Sequence, residues 1–107
     1  MNENQKKGLL NEKESGWLET DDEKFRKIFE FCNGYMEFLN RSKIEREFAA
    51  NARKIAEENG FKDINTQENL KPGDKVYFVN REKSVYLAVI GEQKLERGLH
   101  IIGAHID

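Results

Sequence analysis

Apolar residues recur every three or four positions along two stretches of the first half of the chain, which predicts two amphipathic helices. The first stretch consists of Phe25, Ile28, Phe29, Cys32, Tyr35, Met36 and Leu39. The second consists of Ile44, Phe48, Ala52, Ile55 and Ala56. Because the connection between the two stretches is short, we expect the helices to be neighbours.

Helix-end signals support both predictions. Thr20 with Glu23, and Ser42 with Glu45, have the spacing of a capping box, in which each partner bonds a free backbone N–H of the other. Gly60 follows the second helix and is the residue type that takes the left-handed conformation at a helix C-terminus. Small side chains on the second helix (Ala49, Ala52 and Ala56) would allow another element to approach closely.

The period then changes to two, which indicates β-strands. Strands are predicted at residues 76–79 and 84–90, joined as a hairpin, and at Leu99–Ala104. The last two are apolar on both faces, so we expect them to be interior. We therefore predict an α/β fold with two N-terminal helices, a β-hairpin and a buried strand. This would be the start of a larger helix-flanked mixed sheet, because one hairpin cannot cover both edges of a buried strand.

Residues 1–14 are polar and show no hydrophobic period, which predicts a flexible arm before a structured part at 15–107.

Composition and charge exclude several classes of function. Basic and acidic residues nearly balance, 18 against 20, so neither a nucleic-acid stripe nor a polybasic membrane patch is expected. No signal peptide or spanning apolar run is evident. The single cysteine fits a reducing compartment, and we expect a cytoplasmic protein.

His105 and Asp107 are the candidate metal-binding and catalytic residues. On a strand they point to the same side, at the carboxyl end, where α/β enzymes place catalytic groups. Imidazole is a zinc ligand, and a nearby carboxylate can orient it. The alternative is an ordinary structural pair, since a His-x-Asp triplet also arises by chance. His100 faces the other way, so we expect it to be partly buried and hydrogen-bonded.

Other distinctive residues have structural interpretations. Cys32 lies on the apolar stripe of the first helix and is expected to be a buried, inert thiol. Phe25, Phe29 and Tyr35 on the same stripe are expected to be core. Glycine destabilises the interior of a helix. Its presence at position 34 therefore indicates close packing against a neighbouring element there. The sequence contains no nucleotide-binding motif.

Five segments of the chain form a recognisable set: Phe31-Cys32-x-x-Tyr35-x-x-Phe38-Leu39, Ser42-Lys43-x-Glu45-Arg46-Glu47, Gly60-Phe61, Lys71-Pro72-Gly73-Asp74-Lys75-Val76-Tyr77 and His100-Ile101-Ile102-Gly103-Ala104-His105-Ile106-Asp107. Together they resemble the N-terminal part of the aspartyl aminopeptidase/aminopeptidase I family of zinc peptidases, in its bacterial branch. The resemblance runs from about Trp17 to the last residue, and Gly103-Ala104-His105-Ile106-Asp107 is its most specific part.

The resemblance implies an exopeptidase that removes N-terminal residues, acidic ones in particular, with two bridged metal ions. Zinc is usual, with cobalt or manganese as alternatives. It implies that His105 is the first metal ligand and that Asp107 is the carboxylate that supports the catalytic centre. It further implies a peptide substrate, a homo-oligomer, and additional ligands and a glutamate general base beyond residue 107. Residues 15–107 would be the N-terminal portion of the catalytic domain.

The resemblance has one consequence for the 107-residue chain and leaves one alternative open. One imidazole cannot hold two divalent ions, so we expect the chain alone to be inactive. The alternative hypothesis is a small non-catalytic α/β module for protein interaction or assembly, which shares the pattern without the chemistry.

Overall fold

The computed structural model describes Asn2, Leu9 and residues 13–106. The chain divides into two compact units, Met1–Gly34 and Tyr35–Asp107, and the boundary falls inside the first helix described below. The arm predicted at residues 1–14 lies almost wholly outside the described residues. Asp107 also lies outside them.

Two α-helices and three strands make up the fold of residues 13–106. Helix α1 spans Asp22–Arg41 and helix α2 spans Glu45–Glu58. Strands β1 (Lys62–Asp63), β2 (Lys75–Asn80) and β3 (Ser84–Val89) form one sheet in the order β1-β2-β3. Strand β1 is parallel to β2, and β3 is antiparallel to it. The predicted α/β class, with two helices followed by a β-hairpin, is confirmed, and no helix of the described part could cross a membrane.

The buried strand predicted at Leu99–Ala104 does not form. This segment follows a 3₁₀ turn, Leu95–Arg97, and has no regular secondary structure. Its apolar side chains are exposed, with Ile102 at 99% of its maximal accessible surface. An extended segment becomes a strand only when a neighbour takes up its backbone hydrogen bonds, and none of the described strands pairs with this one. The sheet's third strand is the short β1.

Helix α1 begins one residue later than the predicted capping box. The Asp21 carboxylate accepts a hydrogen bond from the backbone N–H of Lys24 at 2.8 Å, so Asp21 is the capping residue. The Thr20 hydroxyl instead donates to the carbonyl of Gly16 at 2.6 Å. Aspartate caps a helix as well as threonine does, and the hydroxyl is already engaged in the preceding turn.

The apolar face of α1 is exposed, and none of the described residues of this helix is buried. The rings of Trp17 and Phe25 meet edge-on at 5.8 Å, and those of Phe25 and Phe29 lie 4.6 Å apart. Cys32 is exposed, and a Cβ added at Gly34 would meet no described atom within 4 Å. The predictions of a core stripe, a buried thiol and close packing at the glycine are therefore wrong for this chain.

Helix α2 packs against the hairpin through its small side chains. Ala49 and Ala56 are buried on this helix, and Val76 and Tyr77 are buried on β2. The helix contacts both β2 and β3. The predicted close approach at the alanines is thus confirmed, and these residues form the core of the described chain.

The capping box predicted at the start of α2, between Ser42 and Glu45, does not form either. The N-cap of α2 is Ile44, which has no side-chain cap, and the Glu47 carboxylate accepts from the N–H of Lys43 at 2.9 Å. Ser42 is buried, and its hydroxyl accepts a hydrogen bond from the Asn51 amide at 3.0 Å. The serine therefore anchors the connection between the helices instead of capping α2.

The two helices are neighbours at this junction, as predicted. The ring of Phe38 on α1 meets the ring of Phe48 on α2 edge-on, with centroids 4.9 Å apart. Edge-to-face geometry places the positive ring edge against a negative face, which favours this contact.

The C-terminus of α2 confirms the expected glycine. Gly60 has a φ of +83°, in the left-handed region. Its N–H donates to the carbonyl of Glu57 at 3.1 Å, and the N–H of Phe61 donates to that of Ala56 at 2.9 Å. This pair of bonds defines a Schellman motif, which pairs the last helical carbonyls and directs the chain into β1.

The turn between β2 and β3 places two ordinary residues in the left-handed region. Arg81 and Glu82 have φ values of 51° and 58°. Ion pairs join this turn to α2, from Arg46 to Glu82 at 2.9 Å and from Lys83 to Glu45 at 3.9 Å. Left-handed φ costs a residue with a Cβ about 1–2 kcal/mol, and exposed ion pairs offset little of that.

The turn therefore offers a route to stabilisation. Asn-Gly is the preferred pair for a tight hairpin turn with positive φ at both central positions. We expect the double substitution Arg81→Asn, Glu82→Gly to raise the free energy of unfolding by about 1–2 kcal/mol, measured by urea denaturation. Glu92→Gly, in an exposed loop without a positive φ, is the control and should not stabilise the chain. An unchanged or lower urea midpoint for the double variant would show that the turn is not strained.

Candidate metal centre

His105, the predicted metal ligand, lies in the exposed segment that follows the Leu95–Arg97 turn. Its side chain is exposed, and the next residue, Ile106, is half-buried. Asp107 lies outside the described residues, so the same-side arrangement of the two groups remains a prediction. The structure thus places one member of the candidate pair at the end of an accessible, irregular segment.

His100 is exposed, and the prediction that it is partly buried is wrong. The expected burial depended on a strand at Leu99–Ala104. Without that strand there is no sheet face to cover the imidazole. The two histidines occupy the same exposed segment, which makes His100 a useful comparison for His105.

The donor chemistry of His105 suits zinc, but the described residues do not assemble a complete site around it. Zinc in proteins takes about four ligands from imidazole, thiolate and carboxylate groups. Within residues 13–106, no three such side chains lie close enough together to hold a metal ion. His105 therefore suits a zinc ion only as one ligand of a larger set of ligands.

At least two surface cavities of the described residues lie away from His105. One of about 310 Å³ lies at the C-terminal end of α2, beside the turn that leads into β2. The other, of about 230 Å³, lies between α2 and the hairpin and is lined by Arg46, Arg53 and Glu82 among others. His105 lines neither cavity, so the candidate chemistry is separate from both.

A polar cluster that sequence reasoning missed joins α2 to the sheet. The Tyr77 hydroxyl donates to a Glu57 carboxylate oxygen at 2.7 Å, and Arg53 donates to the same oxygen at 3.1 Å. The bond from Tyr77, reinforced by Arg53, lowers the pKa of the Glu57 carboxyl. The same bond raises the pKa of the Tyr77 phenol. The two partners are 20 positions apart, so no local spacing signalled this cluster, which stabilises the packing of α2 on β2.

A family model described as "Aminopeptidase I zinc metalloprotease (M18)" matches residues 38–107. The match covers more than half of the chain and includes both His105 and Asp107. The chain belongs to the M18 aminopeptidase family.

Two curated relatives illustrate the similarity, and both are called "Probable M18 family aminopeptidase 1". The one from Borrelia garinii subsp. bavariensis is 38% identical over 95 residues, which covers 89% of this chain and 21% of the relative. The one from Clostridium acetobutylicum is 37% identical over 103 residues, which covers 92% of this chain and 22% of the relative.

A solved structure agrees with these relatives. The crystal structure of aminopeptidase I from Borrelia burgdorferi B31 matches with a TM-score of 0.76 and 36% identity. The match covers 80% of this chain and 21% of that protein, in its N-terminal portion. The chain thus spans about a fifth of the length of the relatives that it matches.

Proposed function

We propose that residues 15–107 are the N-terminal portion of the catalytic domain of a zinc-dependent aminopeptidase. The enzyme would hydrolyse N-terminal residues from peptides, acidic ones in particular, with a two-metal site. The observation that carries this proposal is the family match over residues 38–107, because it includes the His-x-Asp triplet. The fold that precedes this triplet supports the same placement, since it matches a solved aminopeptidase I over 80% of the chain.

Within this proposal, His105 is a metal ligand through an imidazole nitrogen. Asp107 is the carboxylate that supports the catalytic centre. It would either accept a hydrogen bond from the other ring N–H of the His105 imidazole or orient another metal ligand. When bound, the metal ions would polarise the scissile carbonyl and lower the pKa of the attacking water. The contribution of this chain is to hold one donor at the end of an extended segment.

The chain alone should be inactive for a reason of coordination chemistry. Paired catalytic metals lie about 3.5–4 Å apart, and each needs several protein ligands. The described residues offer no cluster of three donors, and one imidazole holds a single ion weakly at best. The remaining ligands and the general base would have to come from outside these 107 residues.

The wider setting follows from the same proposal. The substrate would be a peptide, and the active form a homo-oligomer in the cytoplasm. The single cysteine and the balanced charge of the chain are consistent with that setting.

A chimera tests the placement. Residues 1–107 would replace the matching segment of the Clostridium acetobutylicum relative, which is 37% identical to this chain. Release of nitroaniline from aspartyl- and leucyl-nitroanilide would be measured with added zinc or cobalt, for the chimera, the unaltered relative and the 107-residue chain. We expect activity in the chimera that approaches the activity of the relative. The chain alone should show no turnover above its His105→Ala variant.

Two results would contradict the proposal. A chimera that folds and assembles like the relative but cannot cleave either substrate would show that this segment does not supply its share of the centre. Turnover by the chain alone, well above that of its His105→Ala variant, would show that the coordination argument fails.

A further inference from the structure

The C-terminus of α2 carries a chemically labile dipeptide, Asn59-Gly60. In an Asn-Gly pair, the backbone nitrogen of the glycine can attack the side-chain amide carbon of the asparagine, because glycine has no Cβ to hinder the approach. A bond forms between this nitrogen and Cγ, and the amide nitrogen leaves as ammonia with the proton of the glycine N–H. Water then opens the cyclic imide. The product is aspartate or isoaspartate, according to which carbonyl carbon of the imide the water attacks.

The folded helix end holds this dipeptide in an unreactive geometry. Asn59 is exposed and has a ψ of 14°, so the Gly60 nitrogen is nearly eclipsed with the Asn59 nitrogen and is turned away from the Asn59 Cβ. The Asn59 side-chain amide donates to the carbonyl of Ile55 at 2.8 Å, which holds it back along the helix. The Gly60 N–H is engaged with the carbonyl of Glu57 at 3.1 Å. Attack on the amide therefore requires the last turn of α2 to open.

Contacts with β2 oppose this opening. The Tyr77 hydroxyl donates to the Glu57 carboxylate at 2.7 Å, and the Lys75 ammonium donates to the Asn59 carbonyl at 3.4 Å. The same ammonium lies 5.7 Å from the centroid of the Phe61 ring. Helix ends open more readily than packed helix interiors. The strength of these contacts therefore determines how often the dipeptide becomes reactive.

We propose that Asn59 is a deamidation site that the folded end of α2 keeps inactive until the last helical turn opens, and that the modified residue then weakens this helix end. An aspartate at position 59 loses the donor to the Ile55 carbonyl. It also places a negative charge at the helix C-terminus, where the helix dipole disfavours it. An isoaspartate adds a methylene group to the backbone, which displaces the Gly60 N–H from its bond to Glu57.

Peptide mapping by mass spectrometry tests the first half of the proposal, because it separates asparagine, aspartate and isoaspartate at position 59. The 107-residue chain would be incubated at mildly alkaline pH, both folded and in concentrated urea. We expect Asn59 to deamidate at least about tenfold more slowly in the folded chain. In urea, Asn33-Gly34 supplies a reference rate for the same dipeptide. Equal rates for Asn59 in the two conditions would overturn the proposal, as would an Asn59 that stays intact in urea while Asn33 reacts.

Tyr77→Phe tests whether opening of the last turn controls the reaction. This variant removes the bond to Glu57, so we expect Asn59 to deamidate about three- to tenfold faster in the folded chain. Tyr86→Phe removes the same hydroxyl from an exposed residue of β3, and this matched control should keep the rate of the unaltered chain. Circular dichroism would verify that both variants fold. Equal rates in the two variants would show that this turn does not control the reaction.

Asn59→Asp tests the effect of the product on the fold. We expect this variant to lower the urea midpoint, because a carboxylate replaces the donor to Ile55. Asn69→Asp makes the same change in charge at an exposed position before β2, and it should leave the midpoint unchanged. Equal midpoints for the two variants would overturn the second half of the proposal.

Discussion

Replacement of His105 by alanine in the chimera with the Clostridium acetobutylicum relative is expected to lower kcat/KM by at least about a thousandfold. Metal ions contribute several kcal/mol to catalysis of hydrolysis, and each 1.36 kcal/mol corresponds to about a factor of ten in rate. Alanine at this position removes an imidazole donor and offers no replacement. The loss should appear both in turnover and in the zinc retained by the purified protein.

His100→Ala is the matched control for this prediction. Both histidines are exposed and lie in the same segment after the Leu95–Arg97 turn. A surface substitution away from a site changes free energies by about 0.5 kcal/mol or less, so we expect His100→Ala to keep activity within about twofold. Equal losses for the two variants would indicate that the segment matters for folding and not for metal binding. Full activity of His105→Ala would remove this residue from the metal centre.

Local signals accounted for much of the fold. The apolar periods predicted both helices, and Gly60 ended α2 as expected, because only a few residues determine a helix terminus. The turn and the alternating pattern likewise placed the β2–β3 hairpin. The capping boxes were less reliable. Neither predicted box forms, because other carboxylates near each helix start pair different N–H groups: Asp21 accepts from Lys24, and Glu47 accepts from Lys43, which precedes α2.

The sequence pattern did not predict which apolar residues are buried. An apolar stripe indicates which face of a helix avoids water but not what covers it. The stripe of α1 is exposed in this chain, and with it Cys32. Leu99–Ala104 has the composition of an interior strand but lacks a pairing partner among the described strands. Both errors have the same cause, since burial depends on contacts that a local pattern does not contain.

The candidate site combines one prediction with one contact that was not predicted. The role of His105 as a metal ligand stays a prediction from its residue type and the family resemblance, and the family match includes its position. The contact between Tyr77 and Glu57 was not identified, because it depends on how α2 lies across the sheet. A candidate ligand can be proposed from one motif in the sequence, whereas contacts between distant segments require the fold.

The packing of α2 on the hairpin leads to the second large effect, the loss of stability in Ala49→Glu. Ala49 is 1% exposed, and it lies on the face of α2 that packs against the sheet. The two arginines beside the same cavity are already paired, Arg46 with Glu82 and Arg53 with Glu57. A glutamate at position 49 therefore either buries an uncompensated carboxylate or forces the helix away from β2 and β3. An uncompensated buried charge costs about 3–5 kcal/mol, which is a large share of the stability of a small domain.

Ala50→Glu separates burial from every other consequence of this substitution. Ala50 is the next residue of the same helix and is exposed, so the change in charge and helix propensity is the same at both positions. We expect Ala50→Glu to shift the free energy of unfolding by about 0.5 kcal/mol or less. Urea denaturation followed by circular dichroism would measure both variants. Equal urea midpoints would mean that α2 does not pack through Ala49, whereas a selective loss at position 49 would establish that the helix and the hairpin form one cooperative core.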